Sequence, residues 1–150
     1  MSNKTHEQLD FEKHIQSVIE YYKDSSEGIN QMIDFSVIDS NLERKEVQLQ
    51  FVVEQWQLNP IQTFHGGMMA TCFDIGFGLL TRCLTNENLI STINLAISYL
   101  RPVKLQDELI VVVRANMVGK TIIHLVGEAC VKEKMVASAT SSFILLEQKN

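Results

Sequence analysis

Residues 59–84 read Asn-Pro-Ile-Gln-Thr-Phe-His-Gly-Gly-Met-Met-Ala-Thr-Cys-Phe-Asp-Ile-Gly-Phe-Gly-Leu-Leu-Thr-Arg-Cys-Leu, and the rest of the chain is organised around this stretch. A polar loop closes on His65-Gly66-Gly67, and an apolar run of helical length follows with a single carboxylate, Asp74. Met68, Met69, Cys72, Phe73, Ile75, Phe77, Leu79 and Leu80 surround that Asp, and a helix apolar on nearly all sides is a buried one. Gly66 and Gly67 let a ligand approach the backbone. At a helix start their N–H groups are unsatisfied donors at the positive end of the dipole, which is how an oxyanion hole is built. For a Gly-Gly pair taken alone, a tight loop needing positive φ is the plainer reading.

Working outward, nearly everything else reads as strands. Ile33, Phe35 and Val37 suggest a short strand before a turn at Asp39-Ser40-Asn41, and Val47, Leu49, Phe51 and Val53 alternate as a half-buried strand. Trp56 and Pro60 lead out into the loop that reaches His65. Beyond the helix, Thr85 to Asn88 is a loop, and Ile93, Leu95, Ile97 and Tyr99 alternate with Thr92, Asn94, Ala96 and Ser98. The segments 107–117, 121–131 and 135–146 continue as strands, turning at Val118-Gly119 and Lys132-Glu133, so the C-terminal half reads as an antiparallel meander. Before all of this, Phe11, Ile15, Val18, Ile19 and Tyr22 form the stripe of an amphipathic helix that residues 24–28 stop, a cover for the core. The expectation is an α+β fold with one central helix gripped by a sheet.

The totals agree with one domain over residues 1–150, of which 1–28 is a helical lead-in. Hydrophobic residues make up 45% and charged residues 21%, ordinary globular values, so global disorder is excluded. A net charge of −5 and a pI near 5.3 leave no footprint for nucleic acid or an anionic membrane. There is no signal-peptide core and no apolar run of membrane-spanning length, so a cytoplasmic protein without membrane insertion is expected. Cys72, Cys83 and Cys130 are an odd set without metal spacing, and Cys72 and Cys83 lie roughly 16 Å apart along a helix, too far to bridge. They read as buried thiols in a reducing compartment. His6, His14, His65 and His124 are scattered, so no metal or other cofactor is expected.

Asp74 carries the chemical argument. A buried, unpaired carboxylate costs several kcal/mol or shifts its pKa upward. Its neighbours on the helix, Ala70, Thr71, Gly78 and Thr81, are small and partly polar, which leaves a groove beside it. A structural alternative is capping by Thr71 or pairing with Arg82. His65 and Asp74 are nine residues apart, roughly 13 Å of rise and about half a turn on one helix. They cannot converge within one chain. If both act on one substrate, the Asp comes from a second subunit and the protein is a dimer with paired interface sites.

Asn59, His65-Gly66-Gly67, Asp74, Thr92 and the strand end Ser98-Tyr99-Leu100-Arg101-Pro102 resemble the hot-dog-fold acyl-CoA thioesterases of the phenylacetate-pathway type. The resemblance runs from about Val47 to Leu146. It implies a long helix wrapped by a curved antiparallel sheet, and a homodimer or dimer of dimers acting on an acyl-CoA. It further implies Asp74 as base or nucleophile, the Gly66 N–H as carbonyl polariser, and His65 and Asn59 as holders of loop, carbonyl or water. Thr92 takes a water-positioning place, and Gly67 and Gln62 stand beside the substrate. The chain departs from the pattern at Gln62, where many relatives carry Gly, which leaves loop shape and acyl preference open. Strand alternation also sets Thr92 opposite the Ile93-Leu95-Ile97 face, so it reaches the site only through a bulge or if the even set faces the helix.

Hydrolysis of an acyl-CoA thioester is the expected reaction, by water activated at Asp74 or through a mixed anhydride. Arg101, Lys104, Arg114, Lys120, Lys132 and Lys134 are the cations available for CoA phosphates, none assigned. Phe64, Met68, Met69 and Trp56 line an acyl pocket or belong to the core. A non-catalytic acyl-CoA-binding protein and a hydratase or dehydratase of the same fold are the rival readings.

Overall fold

The computed structural model describes residues 3–24, 27–86 and 89–147. Ser25-Ser26 of the expected helix stop and Glu87-Asn88 of the expected loop lie outside the described residues. The elements are α1 (His6–Asp24), α2 (Ile29–Met32), β1 (Phe35–Asn41), β2 (Glu46–Val52), α3 (Gly66–Thr85), β3 (Ile90–Tyr99), β4 (Glu108–Val118), β5 (Ile122–Val131) and β6 (Lys134–Leu145). The six strands form one antiparallel sheet in the order β1-β2-β4-β5-β6-β3. α3 packs along it, touching β2 through β6, and α1 packs on α3. This is the hot-dog arrangement, extended by an N-terminal helix.

α3 lies against the sheet because both surfaces were made for close approach. Phe73 and Phe77, fully buried and stacked at 5.9 Å between ring centroids, sit over β5 where Gly127 replaces a side chain. A Cβ on Gly127 would stand 3.0 Å from both rings. Ala129, Ala137 and Ala139 keep the neighbouring floor low. The expected stripes hold: Val47, Leu49, Phe51 and Val53 are buried on the helix side, and Phe11, Ile15, Val18, Ile19 and Tyr22 are the buried residues of α1.

Several turns fall elsewhere than expected. Asp39, Ser40 and Asn41 stay in β1, paired with Gln48, Val47 and Glu46, and the turn is 42–45. Asn41 Oδ1 accepts the Arg44 N–H across it, so the Asn is the first residue of the turn's hydrogen bonding rather than its centre. The β4–β5 connection centres on Lys120-Thr121, closed by Gly119 N–H to Ile122 O, two residues beyond the expected Val118-Gly119. Lys132-Glu133 does turn as expected, both residues at positive φ. Only β4-β5-β6 is a meander; β3 crosses to the far edge beside β6. α2 has no counterpart in the sequence expectation.

The two sheet edges differ. At β1 the Gln8 side chain of α1 bonds Ser40 O and the Leu42 N–H, which occupies the C-terminal end of that edge. The outer edge of β3 has no strand partner among the described residues, and Ile93, Tyr99 and Leu100 are exposed along it.

Candidate active site

The start of α3 is built by its own loop. His65 is extended at φ −65°, ψ 133° and its Nδ1 accepts the Gly67 N–H at 2.9 Å, an N-cap made by an imidazole. With Nδ1 accepting, the neutral ring carries its proton on Nε2. Met68 and Met69 N–H bond His65 O, which leaves the Gly66 N–H as the donor that no described group engages. No glycine here has positive φ, so the plainer reading of the Gly-Gly pair as a strained loop is set aside. Asn59 holds the approach: its Oδ1 accepts from Ile61 and Thr63 N–H, and its Nδ2 donates to Thr63 Oγ1 at 2.9 Å. Gln62 occupies the left-handed region at φ 63° with its side chain exposed. The Tyr99 hydroxyl donates to Gly66 O at 2.8 Å. Asn59, Gly66, Met69, Tyr99 and Arg101 line a cavity of about 380 Å³.

Asp74 lies on another part of the helix, in another cavity. It is half-buried rather than buried, and Thr92 Oγ1 donates to its Oδ1 at 2.8 Å. Neither alternative partner holds it: Thr71 turns back to Gly67 O, and Arg82 Nε donates to the Tyr22 hydroxyl at 3.2 Å. Thr92 reaches the carboxylate through a bulge. Ile93 is the extra residue, so Thr92 pairs with Phe143 and Asn94 with Ser142. Directly opposed residues share a face, and buried Phe143 faces the helix, so Thr92 does too. Beyond the bulge Leu95, Ile97 and Tyr99 resume that side. The Asp74 cavity, about 150 Å³, is also lined by Tyr22, Asn30, Gly78, Arg82 and Thr92.

The structure therefore groups Asn59, His65, Gly66 and Gly67 at one end of α3, and Asp74 with Thr92 in its middle. Phe64 and Met69 are buried, whereas Trp56 is exposed, its indole N–H on Glu54. Two contributors escaped the sequence reading. Tyr99 stands in the helix-facing set with Leu95 and Ile97, a phase that was visible; its hydroxyl bond to Gly66 was not. Tyr22 ends the apolar stripe of α1 with a polar tip, the one signal that this helix does more than cover the core. Burial pushes the Cys72 and Cys83 thiols up to about 12, so they stay protonated and inert. Cys130 is only half-buried. Among the described residues no group of three His, Cys, Asp or Glu side chains is gathered as for a metal ion.

The family profile of the thioesterase superfamily matches residues 61–138, just over half of the chain. A Caenorhabditis elegans protein named as an esterase is 31% identical over 78 residues, 52% of this chain and 46% of that one. The match thus spans less than half the length of that relative. The solved structure of the E. coli PaaI protein, from the phenylacetic acid degradation operon, superposes with a TM-score of 0.79 at 18% identity, over 92% of this chain and 96% of that one. A Streptococcus pneumoniae thioesterase solved with coenzyme A superposes with a TM-score of 0.69 at 23% identity, over 78% and 92%. At these identities the two structures speak to the fold.

Proposed function

The chain belongs to the thioesterase superfamily, and from that premise we propose that it hydrolyses an acyl-CoA thioester in a site shared between two copies of itself. The carrying observation is Asp74: a carboxylate in an otherwise apolar helix, held by one hydroxyl from β3 and facing a cavity. Thr92 engages Oδ1, and Oδ2 is left to take a proton from water as the water adds to the thioester carbonyl carbon. The Gly66 N–H, at the positive end of α3, receives the developing oxyanion. Collapse of the tetrahedral intermediate breaks the C–S bond, and the thiolate leaves with the proton that Asp74 took. His65 and Asn59 hold the Gly66 N–H in place, and Arg101, the cation lining the same cavity, faces the CoA end.

Gly66 and Asp74 are eight residues apart on one helix, roughly 12 Å of rise, and each opens to its own cavity. The unpaired edge of β3 supplies the way to bring one chain's Gly66 to the other's Asp74. Ten residues of strand with exposed Ile93 and Tyr99 are a template for a second copy, while β1 is shorter, bulged and bound by Gln8 at its C-terminal end. A homodimer through β3, alone or paired again, follows. For the reaction itself, the C. elegans relative named as an esterase and the Streptococcus protein solved with coenzyme A support hydrolysis of a CoA thioester.

Thiol release from acyl-CoAs of graded chain length, by wild type and Asp74→Asn, tests this. The expected result is turnover that falls by about 10²–10⁴-fold in the variant, with the melting temperature held. Equal rates would remove Asp74 from the chemistry, and tight CoA binding without turnover would identify a carrier.

A further inference from the structure

The Tyr22 hydroxyl is in an unusual position for a residue of a covering helix. Tyr22 is 8% exposed, its oxygen accepts from Arg82 Nε, and no described group accepts its proton. It reaches α3 where Gly78, one turn beyond Asp74, has no side chain; a Cβ there would stand 2.9 Å from the hydroxyl. The Arg82 guanidinium lies 5.5 and 5.2 Å from the centroids of the Tyr22 and Tyr21 rings, which are themselves 6.0 Å apart, so it packs against both rings. Burial raises the phenol's pKa, so it remains a proton donor across the physiological range. Asn30, from α2, adds an amide to the same wall.

From this the geometry points to Tyr22 as the residue that reads the far end of the acyl group, selecting short acyl chains tipped with an oxygen acceptor, a hydroxyl or a carboxylate. The inference rests on the hydrolytic reading above. The cavity that Asp74 and Thr92 share with Tyr22, Asn30 and Arg82 holds about 150 Å³, a volume that accommodates a group about the size of benzene. One end is the Asp74 carboxylate, where the thioester carbon must lie. The other end presents a buried O–H donor beside a guanidinium. A hydrocarbon tail there would leave the phenol proton unpaired, and a site built to bond an oxygen discriminates strongly against a ligand lacking one. Longer acyl chains meet the Tyr22 ring as a floor.

Three six-carbon thioesters test this: hexanoyl-CoA, 6-hydroxyhexanoyl-CoA and the mono-CoA thioester of hexanedioic acid, with kcat/KM measured for wild type and Tyr22→Phe. Wild type is expected to favour the oxygen-tipped substrates by about tenfold or more. Tyr22→Phe, which keeps the ring beside Arg82, is expected to lose that preference, slowing the oxygen-tipped substrates and speeding hexanoyl-CoA, whose tail no longer strands a phenol proton. The wild-type ranking stands without any variant, so a poorly folding Tyr22→Phe does not protect the idea. Brisk turnover with hexanoyl-CoA equal or best, or a Tyr22→Phe loss uniform across the three, overturns the role of Tyr22 and leaves hydrolysis intact. No turnover of any of them overturns both.

Discussion

At the start of α3 the side-chain caps answer neighbours in sequence: His65 caps Gly67, and Asn59 ties Ile61 and Thr63, with Tyr99 and Val103 bracing the backbone from further off. About two turns further along, Asp74 has one partner, eighteen residues away on a bulged strand, and a cavity wall contributed by a helix near the N-terminus. The first region is locally encoded and stiff; the second is assembled by tertiary packing. A donor for an oxyanion gains from being fixed before the charge develops, so a self-braced loop suits Gly66. A carboxylate that must give and take a proton gains from being left mostly unengaged, as Asp74 is. Under the shared-site reading the two regions meet only across subunits, and the variants below are chosen to separate them.

After Asp74→Asn, the largest effect should come from removing the Gly66 N–H. Gly66 is the first residue of α3, where proline is well tolerated, and His65 already has the extended backbone that a following proline requires. Gly66→Pro should therefore fold and lose about 10²–10³-fold in kcat. Gly66→Ala keeps the N–H and brings its Cβ to the Tyr99 ring at 3.3 Å, so it reports the crowding by itself. Co-expressing Gly66→Pro with Asp74→Asn then breaks or sharpens the comparison. If each site takes Gly66 from one chain and Asp74 from the other, mixed dimers carry one intact site, and about a quarter of wild-type activity returns. No recovery in isolated mixed dimers would place both groups in one chain.

A smaller effect isolates the Asp74 side. Thr92→Val removes the hydroxyl that orients the carboxylate and keeps the shape. The expected loss is about tenfold in kcat with KM little changed, since one hydrogen bond to a charged group is at stake. Thr92→Ser, which can restore the bond, should recover most of the rate. An unchanged kcat in Thr92→Val would show that Asp74 needs no second group to aim it.

These two sides were unequally legible in the sequence. The helix, the Asp and the His-Gly-Gly entrance follow from local pattern, because periodicity and caps are read over a few residues. The impossibility of joining His65 to Asp74 within a chain follows from helix rise alone. Thr92 was legible only through the resemblance: simple alternation puts it on the opposite face, and the bulge at Ile93, one of the two ways it could turn inward, depends on pairing with β6, about fifty residues on. Asp74 was expected to be buried and is half-buried, because Gly78 one turn on carries no side chain and a cavity opens beside the carboxylate. Tyr22 was placed correctly in its stripe, yet its hydroxyl's destination depends on the docking of α1 against Gly78. The turns at Asn41 and Lys120 were misplaced for a related reason: Asn and Gly mark turns only to within a residue or two, and strand register decides the rest.

Gln62 gives the smallest and most diagnostic effect. Its backbone sits at φ 63°, a conformation that costs a residue with a Cβ roughly 1–2 kcal/mol and glycine almost nothing. The loop imposes it, since Gln62 N–H bonds Asn59 O while Asn59 N–H bonds Thr63 O. Gln62 thus adopts a backbone that glycine favours. Among the described residues its side chain meets only exposed Gln55, at 3.4 Å. Gln62→Gly removes the strain but loosens the unfolded chain by about 0.5–1 kcal/mol, so the net gain is about 0.5–1 kcal/mol. That amounts to a few degrees in melting temperature for a chain of this size. If the loop acts only through its backbone, kcat/KM for every acyl-CoA stays within about twofold of wild type, a change too small to count as a lost hydrogen bond. A changed ranking of substrates, with the melting temperature raised as expected, would instead bring the Gln62 side chain itself into the site.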